Sequence, residues 1–149
     1  MLVSIVIPCY NSEHTIGKVV ELAIQEFEKL ENYECEFVLV NDYSRDGTWN
    51  SIRSLTDRYP NVKGINLAKN FGQHNAIMAA LSQAEGDLIV GMDDDMQNHP
   101  SQIPQFLNKM EEGYDIVFGV FKQRKFSVMK NITGAISRYL LWHLLDRPK

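Results

Sequence analysis

Asp93, Asp94 and Asp95 stand in a row directly after the apolar run Leu88–Met92. Adjacent carboxylates repel one another, and a cation relieves the repulsion most directly. In extended backbone Asp93 and Asp95, two residues apart, project to one side while Asp94 projects to the other. This spacing predicts a divalent-metal site on Asp93 and Asp95. Mg²⁺ or Mn²⁺ takes oxygen ligands and commonly binds one or two carboxylates plus substrate phosphates, so a diphosphate would fill the remaining positions. Gln97 offers a neutral oxygen two residues on. A solvated acidic turn is the alternative reading of the same residues.

Asp42 also follows an apolar run, Cys35–Val40, where an unpaired carboxylate is costly. It needs a donor. The ring N–H of a uracil is one candidate, and an Asx-turn or a cap for the helix after Gly47 is the other. Tyr10, after the apolar run Leu2–Ile7, either stacks on a base or covers the core. Lys69 either reaches a phosphate or is simply solvated. His14, His74, His99 and His143 form no metal spacing and have no evident Ser or Cys nucleophile beside them, so none is given a catalytic role. Cys9 and Cys35 lack metal-type and redox-type spacing and read as buried thiols of a reducing cytoplasm.

The elements that must position these groups alternate between short apolar runs and helical patterns, which predicts parallel strands joined by crossover helices. Strands are expected at Leu2–Ile7, Cys35–Val40, Val62–Leu67, Leu88–Met92 and Ile116–Val120. The first helix carries the stripe Ile16, Val19, Val20, Ala23, Ile24, Phe27 and Leu30, capped by Asn11 or Ser12. A second carries Trp49, Ile52 and Leu55 and stops at Pro60, a third covers Gln73–Ala84 with small Ala76, Ala79 and Ala80, and a fourth follows Pro100. In an open parallel sheet, ligands bind in the crevice beyond the carboxyl ends of the strands. The polar clusters around Tyr10, Asp42, Lys69 and Asp93–Gln97 all fall there.

A chain of 149 residues, 44% of them hydrophobic, is long enough for one domain with a real core. Its formal net charge of −4 excludes a general nucleic-acid binder, which needs a broad basic surface. The charge is uneven, however. From Phe121 onward there are seven basic residues and one acid, so this end carries +6 against −10 for the remainder. Such a basic end fits an anionic lipid or phosphate, or a solvated face. The opening run Leu2–Ile7 is too short for a signal peptide and stops at Pro8. Tyr139–Leu145, the most apolar stretch, falls well short of the ~20 residues needed to cross a membrane. A Rossmann oxidoreductase would need a glycine-rich turn where Pro8-Cys9-Tyr10-Asn11 stands. A haloacid-dehalogenase-type phosphatase would carry its paired aspartates after the first strand rather than the fourth.

Five segments together resemble family 2 glycosyltransferases of the GT-A fold, in particular polyprenyl-phosphate enzymes related to dolichol-phosphate mannose synthase. They are Val6–Asn11, Val40–Thr48, Asn70–Gln73, Met92–Gln97 and Gly113–Gly119, in family order. The resemblance implies an α/β, Rossmann-like, mostly parallel sheet flanked by helices. It implies Pro8, Tyr10, Glu13 and Asp42 around the nucleoside, Asp94 near the ribose or sugar, and Asp93, Asp95 and Gln97 on the metal. Lys69 stands where these enzymes often have an arginine. Two departures are visible: Asn41 replaces the first of two aspartates common after the second strand, and Phe121 replaces an arginine before Lys122 and Arg124.

Residues 1–125 are thus expected to form the nucleotide-sugar-binding domain, with 126–149 beginning an acceptor-side, membrane-proximal segment. Family members usually continue further, so the chain reads as a piece of a longer protein whose remainder would include the usual place for a catalytic base. The expected reaction is metal-dependent, inverting transfer from a UDP-sugar to a polyprenyl phosphate, with Lys69 and the metal on the departing diphosphate and Arg124 on the acceptor side. Transfer to a polysaccharide hydroxyl, or donor binding without turnover, are the rival readings. Met129, Ile132, Ile136, Tyr139 and Leu140 fall on one face of a helix flanked by basic residues, which fits contact with the inner face of the membrane. Homodimerisation through Leu141, Trp142 and Leu145 is the alternative.

Overall fold

The structure, a computed structural model, describes residues 1–119. Met1–Asp115 forms one compact unit, and a second begins at Ile116. In the first unit four strands, β1 (Leu2–Cys9), β2 (Glu34–Asn41), β3 (Val62–Asn66) and β4 (Leu88–Gly91), form an entirely parallel sheet in the order β3-β2-β1-β4. Helices α1 (Ile16–Phe27), α2 (Thr48–Arg58), α3 (Gln73–Leu81) and α4 (Ile103–Glu111) alternate with them.

Strand β1 is apolar on both faces, Ser4 apart, because both are covered. Val3, Ile5, Ile7 and Cys9 pack with Phe37 and Leu39 under α1, α2 and α4, through Ile16, Val19, Val20, Ile52, Ile103 and Leu107. Val6, Val38 and Val40 meet Ala76 and Ala80 of α3 on the opposite face. The small side chains of α3 let it lie close on the sheet, as its sequence predicts. Between β1 and β4 the chain changes direction across the sheet, and the covering helix changes face with it. This reversal is a topological switch point, where the loops leaving two neighbouring strands diverge and open a crevice.

Three sequence expectations change. Helix α1 starts at Ile16 with Thr15 in the cap position, rather than at Asn11 or Ser12. Asn11 is in left-handed backbone and its side chain accepts the Arg45 amide, while the Ser12 amide is spent on Thr48. The first helix also ends at Phe27, and the third at Leu81, short of Leu30 and Ala84. The fifth strand is not formed over residues 116–119. Ile116 and Phe118 are 69% and 81% exposed, and an apolar run without a ladder partner is not a strand. Val120 lies outside the described residues.

Cys9 is buried and Cys35 half-buried, both as free thiols. Burial pushes the Cys35 thiol up to about 11, and burial together with the Asp94 charge pushes Cys9 higher still.

Candidate functional site

All four loops leaving the carboxyl ends of the strands carry one residue in left-handed backbone: Asn11 after β1, Tyr43 after β2, Gly72 after β3 and Met96 after β4. Three of these are not glycine, and such conformations cost about 1–3 kcal/mol each unless the surroundings hold them. Around Asn11 the surroundings do. Its amide donates to Ser44 Oγ at 3.0 Å, its side-chain Oδ1 accepts the Arg45 amide at 3.0 Å, and the Glu13 amide donates to Asp46 Oδ2 at 3.2 Å. The loops after β1 and β2 are therefore stitched together, and α2 starts from the stitch. Asp46 Oδ1 accepts the Thr48 amide at 3.0 Å and its hydroxyl at 2.6 Å. Burial would raise the Asp46 carboxyl, but these bonds and the Glu13 amide outweigh it and hold the group below the usual carboxylate range.

Glu13 belongs to this stitch, since its Oε2 accepts the Gly47 amide at the cap of α2 and its Oε1 lies 3.0 Å from His14 Nε2. A carboxylate there meets the positive end of the helix. Pro8, half-buried, sits next to last in β1 opposite Val40. Tyr10 follows at the mouth of the crevice, 49% exposed.

Asp42 is 4% exposed and each of its carboxylate oxygens accepts one amide: Oδ1 that of Phe71 at 2.7 Å and Oδ2 that of Gly72 at 2.9 Å. It does not cap α2; it holds instead the two residues that lead into α3. Lys69 is exposed in the loop so anchored, its ammonium 4.9 Å from the centre of the Phe71 ring.

The aspartate run leaves the sheet sooner than its sequence predicts. Strand β4 ends at Gly91 and the chain bends over residues 94–98. The two-residue alternation inferred for Asp93 and Asp95 therefore does not hold, because alternation requires extended backbone. Each carboxylate has its own partner instead. Asp93 accepts the side-chain amides of Gln73 at 3.3 Å and Asn98 at 3.0 Å, Asp94 Oδ2 accepts the Tyr10 amide at 2.9 Å, and Asp95 Oδ1 accepts the Gln97 amide at 3.0 Å. Asp95 and Gln97 are exposed in the bend. Among the described residues no three His, Cys, Asp or Glu side chains converge as a ready-made metal cage. The donors are hard oxygens with lone pairs to spare, which fits Mg²⁺ or Mn²⁺ drawing its remaining ligands from a diphosphate.

The structure thus brings Tyr10, Asp93 and Asp94 to the switch point and ties the Lys69 loop to it through Gln73. It sets Glu13 back at the start of α2. Sequence reasoning gave no role to Gln73, Asn98, Ser44 or Asp46. Gln73, Ser44 and Asp46 stand within the segments Asn70–Gln73 and Val40–Thr48 that carry the family resemblance, whereas Asn98 stands outside all of them. Arg124 and the basic, apolar-striped end lie outside the described residues. No helix among the described residues is long and apolar enough to cross a membrane.

Residues 4–142 match the family described as Glycosyl transferase family 2. The chain is 42% identical over 116 residues to undecaprenyl-phosphate 4-deoxy-4-formamido-L-arabinose transferase of Proteus mirabilis, covering 77% of this chain and 35% of that one. It is 40% identical over 140 residues to the enzyme of the same name from Shewanella sediminis, covering 93% of this chain and 42% of the relative. It therefore spans well under half the length of these relatives. Among solved structures, glucosyl-3-phosphoglycerate synthase of Mycobacterium tuberculosis, crystallised with Mn²⁺, UDP and glucosyl-3-phosphoglycerate, aligns with a TM-score of 0.61 at 23% identity, covering 97% of this chain and 50% of that one. That likeness establishes the fold as the GT-A arrangement of a parallel sheet flanked by helices. With the family match spanning nearly all of its length, the chain belongs to glycosyl transferase family 2.

Proposed function

We propose that the chain binds a nucleotide-diphosphate sugar, with UDP as the nucleotide, and passes the sugar to a polyprenyl phosphate with inversion. The observation that carries this reading is the bond from the Tyr10 amide to Asp94 across the switch point, which sets an exposed aromatic ring beside an aspartate-rich bend. In this reading Tyr10 stacks on the base above Pro8. Asp42 accepts the uracil N–H through lone pairs that its two amide bonds leave free. Glu13 serves the nucleoside through the loop it holds, Asp94 lies near the ribose or sugar, and Lys69 offsets charge on the departing diphosphate.

Asp93, Asp95 and Gln97 would hold Mg²⁺ or Mn²⁺. When bound, such an ion supplies positive charge to the diphosphate as it leaves. An oxygen of the acceptor phosphate attacks the anomeric carbon as the bond from that carbon to the diphosphate oxygen breaks. This oxygen is already ionised at neutral pH, so the acceptor needs placement and not a general base, in contrast to a sugar hydroxyl. The undecaprenyl-phosphate names of the relatives support the lipid acceptor. Division of labour follows the sequence reading: residues 1–125 for the donor, and the basic end beyond, with Arg124, for the acceptor at the inner face of the membrane.

The test is transfer of labelled sugar from UDP-sugar to undecaprenyl phosphate with Mn²⁺. Lipid-linked label, dependent on the lipid, is the expected product. UDP binding without any transfer would reduce the chain to a donor-binding unit and refute transfer to the lipid.

A further inference from the structure

The segment Lys69–Gln73 bridges two carboxylates that the donor reading puts at opposite ends of the nucleotide. At one end Asp42, almost wholly buried, accepts two consecutive amides, those of Phe71 and Gly72. Two adjacent bonds from one carboxylate fix both the position of the chain and its direction, which a single bond would not. Two residues before this anchor is Lys69, its ammonium resting on the Phe71 ring, and one residue after it is Gln73, whose side chain donates to Asp93. Gly72, at φ 86°, turns the chain from the anchor into α3. Polar side chains also reach this anchor from Asn70, whose Oδ1 accepts the Gly72 amide at 3.1 Å, and from Asn75, which donates to the Phe71 carbonyl at 2.8 Å.

We infer that Asp42 is the positioning residue for this segment, placing Lys69 against the donor diphosphate and Gln73 against Asp93. The inference rests on the donor-site reading and adds to it. A residue that only reads the base affects nucleoside affinity alone. A residue that also sets the Lys69 loop affects the diphosphate as well, and its effect overlaps with that of Lys69.

Two measurements on the whole chain test this. The first needs no ligand: amide hydrogen exchange at Phe71 and Gly72 should accelerate about tenfold in Asp42→Ala, as expected for loss of a hydrogen bond to a charged group, with protection in β1 and β2 unchanged. Asp42→Asn keeps one acceptor oxygen and should fall between, and it stands in if the alanine variant does not fold. The second is calorimetry with UDP and with uridine, each with Mn²⁺, in Asp42→Ala, Lys69→Ala and the double variant. Asp42→Ala should lose more affinity for UDP than for uridine, and the double variant should bind UDP within about twofold of the weaker single variant. Unchanged exchange at Phe71 and Gly72, equal losses for UDP and uridine, or fold-losses that multiply in the double variant would each overturn the inference. A wild-type chain that binds no UDP would overturn the donor reading instead, and the exchange measurement would still decide whether Asp42 holds the segment.

Discussion

The amide of Tyr10 donates to Oδ2 of Asp94 at 2.9 Å, tying the loop after β1 to the loop after β4 where the strand order reverses. The two residues are 84 apart in sequence, so only the sheet brings them together. Asp94→Ala should lower stability by about 0.5–1.5 kcal/mol, the usual worth of one hydrogen bond, and should also weaken UDP binding by freeing Tyr10. Asp94→Asn retains an acceptor oxygen and should keep the stability. Denaturant unfolding of both variants beside UDP calorimetry separates the tether from any direct contact with the donor.

Asp95 differs from its two neighbours, because it bonds to the Gln97 amide within its own turn and its side chain stands in solvent. Asparagine can accept the same amide, so Asp95→Asn should fold normally. Removing one of three adjacent charges should leave the metal-free melting temperature equal or higher. Mn²⁺-dependent UDP affinity should fall by about tenfold or more, the order expected for a lost charge-assisted contact. Unchanged affinity in the presence of Mn²⁺ would remove Asp95 from the metal site.

The strands and the faces of the helices were legible because burial on both sides of β1 and β2 leaves apolar runs interrupted only by Ser4 and Glu36, and one-sided burial of α1 leaves a stripe. The crevice was legible for the same reason, since polar clusters directly after such runs have nowhere else to be. What each carboxylate does there was not. Asp42, Asp93 and Asp94 take partners 29, 20 and 84 residues away, and no local spacing encodes those. The left-handed turns at Tyr43 and Met96 were equally hidden, because neither residue type advertises that conformation. The run after Gly113 looked like a strand on composition alone, and composition does not supply a ladder partner.

Glu36, the one acid within Cys35–Val40, has no signal of its own in the sequence. It is 6% exposed, and its Oε1 accepts the Ser4 hydroxyl and, at 2.6 Å, the Glu85 amide, while Lys63 Nζ lies 2.9 Å from its Oε2. Burial would raise its carboxyl, but the Ser4 and Glu85 bonds and Lys63 outweigh it and hold the group below its ordinary value. A carboxyl depressed in the folded state stabilises fully above its unfolded value and loses that contribution as pH falls through the folded one. Stability should therefore decline on acidification from about pH 4.5 downward, near the ordinary glutamate value. In Glu36→Gln this acid limb should be shallower and the neutral-pH stability lower. Parallel acid limbs in chemical unfolding would show that Glu36 does not contribute to it.

Gly86 completes the same corner. Its amide donates to Ser4 Oγ at 2.8 Å, and a Cβ built on it would lie 2.6 Å from both the Ser4 amide nitrogen and Oγ. Those neighbours belong to β1, in the centre of the sheet, and cannot move aside without disturbing it. Gly86→Ala should cost about 1–3 kcal/mol, as overpacking does. Gly17→Ala is the control, because a Cβ there meets nothing within 4 Å. Equal melting temperatures for the two variants would mean that β1 yields more easily than its packing implies.

Glu13 distinguishes a side chain that touches the donor from one that shapes the loop around it. Its Oε2 accepts the Gly47 amide, its own amide donates to Asp46 Oδ2 at 3.2 Å, and its carbonyl accepts the Ser51 hydroxyl at 3.1 Å. Every one of these bonds joins the Tyr10 loop to the start of α2. Glu13→Ala removes the cap acceptor and should cost about 0.5–2 kcal/mol, and it should weaken UDP binding as the loop loosens. Glu13→Gln keeps an acceptor oxygen that can reach Gly47, so it should resemble the wild type in both respects, less the small charge term at the helix end of about 0.3–1 kcal/mol. Parallel loss and recovery of stability and affinity across the two variants is the signature of a loop support. A glutamine variant with wild-type stability but clearly weaker UDP binding would show instead that the Glu13 charge meets the donor directly, as the family resemblance implies.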